Sequence, residues 1–257
     1  MTLLPNPSSR SLAVWQRNLR VWRKMLLPSA LGNFGEPLLY LLAFGYGFGQ
    51  LVGDLGQLPY VAFLASGILC SSTLFTASFE AMYSAFTRMA NQQTWSAMLH
   101  TPLQVDDIVF GEVLWAATKG LMSATAILLV AAAMGLVADW RAVWALPVVA
   151  LAGFAFAACA MVITALARSY DFFLYFFTLV LTPMLLTGGV FFPREQFPEW
   201  LQRLAYLLPL PHAVDLVRPL VTGGTLHRPW LNLAVMAGYG MAGLITATAL
   251  VRRRMLC

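Results

Sequence analysis

The 257-residue chain has little charge: 11% of its residues are Asp, Glu, Lys or Arg, against about a quarter in typical soluble domains. Instead, 60% of the residues are hydrophobic. They are concentrated in runs of about 20, the length that crosses roughly 30 Å of hydrocarbon. This distribution excludes an ordinary soluble domain and predicts an all-α polytopic membrane protein, because only helices satisfy their own backbone in lipid.

Several chemical motifs are also missing. The three cysteines lack the spacing of a disulfide framework or a metal site, and the three histidines are far apart with no His-Glu-x-x-His pattern. No Gly-x-x-x-x-Gly-Lys-Ser/Thr loop is present, so we expect no ATP site in this chain. These absences argue against a membrane enzyme with catalytic residues, a metal or a cofactor of its own. The net charge of +5 is not gathered into a groove, so no nucleic-acid partner is expected.

Six hydrophobic segments are predicted to cross the membrane within a single domain, 1–257. They are 27–52, 60–86, 108–136, 143–167, 172–192 and 230–251. Six spans place both termini on one side, together with the loop 87–107. That side carries ten lysines and arginines and the other five, so the positive-inside rule makes it cytoplasmic. We therefore expect a multi-pass protein of the bacterial inner membrane, with no cleavable signal peptide before the first span.

An amphipathic helix is predicted over 10–26, ahead of the first span. Its large apolar residues recur every three or four positions and form a stripe: Leu12, Trp15, Leu19, Trp22 and Leu26. Arginines and a lysine lie on the flank away from that stripe. The pattern favours a helix lying in the membrane interface, and a solvated helix packed on a cytoplasmic partner is the alternative.

The segment 193–229 follows the fifth predicted span and is too rich in proline to form one membrane helix. An apolar face including Trp200 and Leu204 lies opposite Glu199 and Arg203. Short external helices that dip into the outer leaflet are the interpretation we prefer, and a plain external loop is the alternative.

Ionisable residues inside the predicted spans are few: Glu36, Glu80, Glu112 and Lys119. Such residues are costly in a bilayer and are usually paired or functional. Lys119 lies two turns from Glu112 on roughly one face of the third span, which indicates an internal ion pair, a snorkelling lysine or a substrate contact. The adjacent Asp106 and Asp107 are expected to form a solvated loop end or the start of that helix, rather than a catalytic dyad.

The loop 87–107 is the most polar stretch of the chain, yet Trp95, Met98 and Leu99 are interleaved in it. A short amphipathic helix there would present an apolar face to a cytoplasmic partner. Glu80 and the segments 85–103, 106–120 and 187–220 resemble the ABC-2 type permeases. Within these the chain is similar to the NodJ family, membrane subunits of nodulation-factor (lipo-chitooligosaccharide) exporters.

The resemblance implies a homodimer of the permease with two copies of a NodI-like ATPase, which would bind ATP and Mg²⁺. It implies that the loop after the second span is a coupling helix, with these ATPase contacts: Arg88, Gln93, Thr94, Trp95, Met98 and Leu99. It also implies that the first and fifth spans form the translocation path and dimer interface, through Phe34, Tyr40, Phe44, Gly45, Gly49, Phe172, Phe173 and Phe176.

The residues themselves leave alternatives at these positions. Gly45, Gly49 and Gly53 repeat every four residues, which permits close helix approach but also suits a flexible helix end. The aromatic residues of the fifth span suit packing or lipid contact as well as stacking on sugar rings. An amphiphilic glycolipid cargo is expected, with another polysaccharide, lipid or drug as the alternative. An ion-coupled carrier is the weaker rival, because the spans lack strings of carboxylates and an evident inverted repeat.

Overall fold

The computed structural model describes residues 5–24, 35, 39, 41–43, 47, 54–55 and 58–256. The predicted first span, 27–52, lies almost entirely outside these residues, as do Phe34, Glu36, Tyr40, Phe44, Gly45 and Gly49. Ahead of the first long helix, strands β1 (Asp54–Leu55) and β2 (Leu58–Pro59) pair antiparallel, with Leu55 opposite Leu58.

The rest of the described chain is helical. The helices are α1 (Ser11–Arg23), α2 (Tyr60–Asn91), α3 (Thr94–Leu99), α4 (Val105–Ala133), α5 (Ala145–Leu166), α6 (Asp171–Thr187), α7 (Glu199–Ala205), α8 (Pro209–Thr222) and α9 (Pro229–Leu256). Single 3₁₀ turns lie at Trp140–Trp144 and Arg194–Gln196. Helix α1 lies within the segment 10–26, and α7 and α8 lie within 193–229.

Four helices in the described part of the chain are long and apolar enough to cross a membrane: α2, α4, α5 with its preceding 3₁₀ turn, and α9. They correspond to the predicted spans 60–86, 108–136, 143–167 and 230–251. Helices α7 and α8 meet at a 90° bend and would make a fifth only if counted as one broken span. The predicted fifth span, 172–192, is a shorter apolar helix, because α6 ends at Thr187.

Glycines set where α6 stops and how closely α5 and α9 pack. Beyond α6, Gly189 adopts a left-handed φ of +76°, a conformation that glycine reaches without steric cost, and Pro193 follows. In α9, a Cβ on Gly243 would lie 2.9 Å from the backbone of Ala158 and Cys159 in α5. The alanine-rich α5 and the glycines of α9 therefore bring the two backbones close together, as in membrane helix pairs.

Four exposed tryptophans mark one end of the helix bundle: Trp140, Trp144, Trp200 and Trp230, each more than half exposed. They lie in or beside the connections α4–α5, α6–α8 and α8–α9. The backbone N–H of Ala138 donates to the carbonyl of Val221 at 2.9 Å, which joins the α4–α5 connection to the last turn of α8. Tryptophan favours the boundary between lipid and water, so this ring of side chains suits a membrane surface.

Helix α1 packs on α4 through a face that the sequence pattern did not indicate. Its buried residues are Ser11, Val14 and Asn18, whereas Leu12 of the predicted apolar stripe is 49% exposed. A Cβ on Gly111 of α4 would lie 2.6 Å from the carbonyl oxygen of Ser11. Small and polar residues face inward because the two backbones approach closely at Gly111.

Replacing Gly111 by alanine is expected to loosen α1 from α4. The added Cβ would meet both the Ser11 carbonyl and the Val14 side chain, at 2.6 and 2.7 Å, so α1 must shift at a cost of about 1–3 kcal/mol. Faster tryptic cleavage after Arg20 and Arg23 in the solubilised protein would report that release. Gly238→Ala is the matched control, because nothing lies within 4 Å of its added Cβ. Equal cleavage rates in the two variants would contradict the packing at Gly111.

Candidate functional site

Glu112, on α4, is the centre of a polar cluster inside the bundle. It is 1% exposed and accepts hydrogen bonds from three other helices. Arg88 of α2 donates through Nε to Oε1 at 3.0 Å and through Nη2 to Oε2 at 2.6 Å. Trp95 of α3 donates Nε1–H at 3.1 Å, and Asn18 of α1 donates Nδ2–H at 3.1 Å. One carboxylate therefore joins α1, α2, α3 and α4.

Glu80, on α2, is the second acceptor in this cluster. Arg88 Nη2 donates to its Oε1 at 3.0 Å and Lys119 Nζ to its Oε2 at 2.9 Å. Trp115 Nε1 and Ser84 Oγ complete its coordination, each at 2.9 Å. We call Glu80, Arg88, Glu112 and Lys119 the buried charge cluster. Its two acids and two bases balance, which offsets the cost of removing each charge from water.

The structure settles which partner Lys119 takes. Its ammonium group pairs with Glu80 on α2, and Glu112, two turns earlier on the same helix, pairs with Arg88. Spacing along α4 alone therefore did not indicate the pairing, because both partners come from another helix.

Helix α3 turns its tryptophan inward. Gln93 precedes it with a left-handed φ of +53°, and Trp95 is 1% exposed. Arg88, also expected among the partner contacts, has a side chain only 12% exposed. Both side chains face Glu112 in this conformation, and their direct contact with a partner stays a prediction. Thr94, Met98 and Leu99 are half-buried, and the exposed positions are Gln92, Gln93, Ala97 and His100.

A cavity of about 280 Å³ borders the buried charge cluster and is lined by α1, α2 and α4. Trp22 of α1 lines it, with its ring edge-to-face against Trp115 at 6.1 Å, and its Nε1–H has no acceptor in the described chain. Arg17 lies at the rim; partial burial lowers the pKa of its guanidinium, and the neighbouring Arg88 charge acts in the same direction. Across the described ranges, no group of three or more His, Cys, Asp or Glu residues is placed to hold a metal ion.

Asp106 and Asp107 begin α4 and are buried, so the expectation of a solvated loop end is wrong and that of a helix start is right. Asp106 accepts from the backbone of Asn6 at 2.7 Å and from Nε of Arg252 on α9 at 2.7 Å. Asp107 accepts from the backbone and hydroxyl of Ser8 at 2.6 and 2.8 Å, and from the backbone of Gln104 at 3.0 Å. This pair ties the segment before α1 and helix α9 to the start of α4.

The aromatic residues of α6 divide between interior and surface. Phe173 is fully buried, with its ring 5.0 Å from Tyr83 and 5.4 Å from Phe86. Phe172 is 40% exposed and Phe176 is half-buried. Phe173 therefore packs within the chain in this conformation and does not line a path or an outer face.

Comparisons with known proteins identify the family of the chain. Residues 10–221 match the ABC-2 type transporter family. The chain is 45% identical to Nodulation protein J of Rhizobium leguminosarum bv. viciae, over 98% of both chains. It is 42% identical to Nodulation protein J of Rhizobium meliloti (strain 1021), over 98% of this chain and 97% of the relative. A more distant relative is the inner membrane transport permease YadH of Escherichia coli (strain K12), 26% identical over 77% of this chain and 76% of the relative. The chain belongs to the ABC-2 type transporter family, as a membrane permease.

Proposed function

We propose that this chain is the membrane subunit of an ATP-driven exporter that moves an amphiphilic lipo-oligosaccharide outward across the inner membrane. The relatives named Nodulation protein J, similar over nearly the whole chain, support this cargo class. Energy comes from a separate NodI-like ATPase that binds ATP and Mg²⁺. Two permease copies and two ATPase copies form the complex, with both permease termini in the cytoplasm.

Helix α3 is the proposed docking element, and its attachment to the buried charge cluster is the observation that carries the proposal. The exposed positions Gln93, Ala97 and His100 form the surface for the ATPase. On the opposite face, Trp95 Nε1 reaches Glu112 at 3.1 Å, and Glu112 is bound by Arg88. A displacement of α3 by the ATPase is therefore transmitted to both α2 and α4.

Such a link shifts the conformational equilibrium only if it differs between the inward- and outward-facing states. Trp95 transmits the movement of α3 to the other helices. When the ATPase pair closes on ATP, α3 moves, the indole pulls on a carboxylate held by three helices, and the two permease copies rock apart on the outer side. The exposed face of α6, with Leu174, Tyr175 and Leu179 each more than 60% exposed, is the surface proposed to meet the second copy.

The experiment separates docking from transmission. Trp95→Phe keeps an aromatic ring but removes the donor to Glu112, a charge-assisted bond of about 1.5–3 kcal/mol. We expect normal binding of the ATPase but roughly tenfold lower cargo-stimulated ATP turnover in proteoliposomes, the factor that equals about 1.4 kcal/mol.

The companion variant Ala97→Arg places a bulky charge on the exposed face and leaves the buried charge cluster intact. It should abolish copurification of the ATPase without lowering the melting temperature of the permease. Normal copurification in Ala97→Arg would overturn the docking surface. Full cargo-stimulated turnover in Trp95→Phe would overturn the transmission route and leave the docking surface standing.

A further inference from the structure

A second polar site lies at the end of α2 opposite the buried charge cluster. A cavity of about 540 Å³ opens there, between the start of α2, the turn 188–197 and helix α8. We call it the arginine cavity; its lining includes Phe63, Arg194, Tyr206, Asp215, Arg218 and His227. Phe63 and Arg88 are 25 residues apart on α2, so the two sites lie roughly 35 Å apart along the helix.

Arg218 lines the cavity and forms no ion pair with a carboxylate among the residues that the structure describes. Its guanidinium lies over the Phe63 ring, 3.6 Å from the centroid. Its hydrogen bonds within the described chain go to neutral oxygens, from Nε to Ser66 Oγ at 3.1 Å and from Nη2 to the Gly189 carbonyl at 2.6 Å. Arginine keeps its charge in proteins, so these contacts orient a permanent cation.

Arg194 brings a second guanidinium to the same cavity. It is 9% exposed, lies 4.7 Å from the Tyr206 ring centroid and forms an ion pair with Asp215. Its Nη1 is nevertheless buried with no hydrogen-bond acceptor among the residues that the structure describes. Leaving a buried donor unsatisfied costs about 1–3 kcal/mol, and more when the donor is charged, so Arg194 lacks an acceptor at this nitrogen.

The charges at the cavity decide the class of acceptor. Asp215 is engaged by Arg194, and Glu195, the other carboxylate of the lining, is exposed to solvent. The exposed imidazole of His227 also lines the cavity. Two guanidinium groups, each lying over an aromatic ring, can donate paired N–H bonds to the oxygens of a planar or tetrahedral anion. Arginine binds such anions in bidentate fashion.

The walls of the cavity are also held in place before any ligand arrives. A Cβ on Gly189 would lie 3.1 Å from the Arg194 side chain, so the turn and that side chain are closely packed. His212 bridges Asn232 and the backbone carbonyl of Tyr206, with both contacts at 2.8 Å, and thereby fixes the ring under Arg194. Such preorganisation lowers the entropy that binding costs.

We propose that the arginine cavity binds an oxyanion group, a sulfate, phosphate or carboxylate, carried by an amphiphile at the membrane surface. Two sources share this chemistry: an acidic substituent on the cargo, or the headgroup of an anionic lipid. The cargo assignment rests on the proposed export function, whereas anion binding by the cavity does not.

Binding is measured on the purified permease in phosphatidylcholine nanodiscs. Samples in sodium sulfate are compared with samples in sodium chloride at equal ionic strength. Sulfate is expected to slow hydrogen exchange of the turn 188–197 in the unmodified protein. Arg194→Gln should weaken this effect by about tenfold, the loss of a single charge-assisted contact. Arg203→Gln is the matched control and should change nothing, because Arg203 lies on α7 with its side chain 82% exposed.

The variant Asp215→Asn distinguishes the proposed anion-binding role of Arg194 from a purely structural one. That change removes the same ion pair but also the carboxylate that competes with the anion, so sulfate should bind more tightly. Weaker binding in both variants, or no sulfate effect in the unmodified protein, would overturn the proposal.

Two further experiments identify which molecule carries the anion. Retention of phosphatidylglycerol from mixed nanodiscs, seen by native mass spectrometry and lost in Arg194→Gln, would assign the site to a lipid headgroup. Competition with sulfate by a sulfated alkyl glycoside but not by its neutral counterpart, without lipid retention, would assign it to the cargo. If sulfate has no effect while export proceeds, the anion site is refuted and the proposed function stands. Sulfate binding without export leaves the anion site standing and refutes the proposed function.

Discussion

Glu112→Gln is expected to destabilise the permease by about 3–5 kcal/mol, the usual result of removing one partner from a buried ion pair. Arg88 would keep its charge in the interior beside an amide, and the amide nitrogen would face donors from Arg88 or Asn18. A lower melting temperature in detergent, with less folded protein recovered, would report the loss. Glu199→Gln is the control: that carboxylate is 86% exposed in its pair with Arg203, and such pairs contribute at most about 1 kcal/mol.

The cause of that loss is tested by a double variant. In Glu112→Gln with Arg88→Gln the uncompensated positive charge is gone, and Glu80 still has Lys119 as its partner. We expect the double variant to regain part of the lost stability. A double variant less stable than Glu112→Gln alone would show that hydrogen bonds of Arg88 to Glu80, and not charge balance, dominate the cluster.

The second large effect is expected at Gly67, where α2 meets the turn that carries Arg194. A Cβ there would lie 2.5 Å from the carbonyl oxygen of Val190 and 2.9 Å from its Cα. The obstacle is backbone, so Gly67→Ala must displace the whole turn, at a cost of about 3 kcal/mol. Helix propensity acts the other way by about 0.5–1 kcal/mol and is outweighed.

Gly238→Ala gives the matching measurement, because that position in α9 has nothing within 4 Å of an added Cβ. It should leave the melting temperature unchanged or raise it slightly, whereas Gly67→Ala should lower it and speed proteolysis within 188–197. If both variants melt alike, the close contact between α2 and the turn does not exist in the folded protein.

Hydrophobic run length predicted the long helices well. The predicted spans 60–86, 108–136, 143–167 and 230–251 each contain most of a membrane-length helix, because an apolar run of that size has few other stable conformations. The ends were less predictable. Helix α2 continues to Asn91, five residues past the predicted limit, through the π-helical turn Thr87–Asn91, which contains Arg88.

The orientation of side chains in short segments was not predictable from the sequence. Helix α3 has six residues, fewer than two turns, so it contains no periodicity to show which face is buried. Trp95 in a polar loop suggested a surface for a partner, whereas a carboxylate 17 positions later accepts its N–H. The pairing of Lys119 with Glu80 likewise depends on how α2 and α4 pack, which no spacing within one helix contains.

The contact between Asp106 and Arg252 has a consequence for biosynthesis. Asp106 is 4% exposed and its two partners lie before α1 and near the end of α9, separated by most of the chain. Asp106 is therefore synthesised and reaches the membrane long before Arg252 is added to the chain. Until α9 has been inserted, Asp106 lacks the guanidinium of Arg252, so the start of α4 completes its contacts only after the last helix has been synthesised.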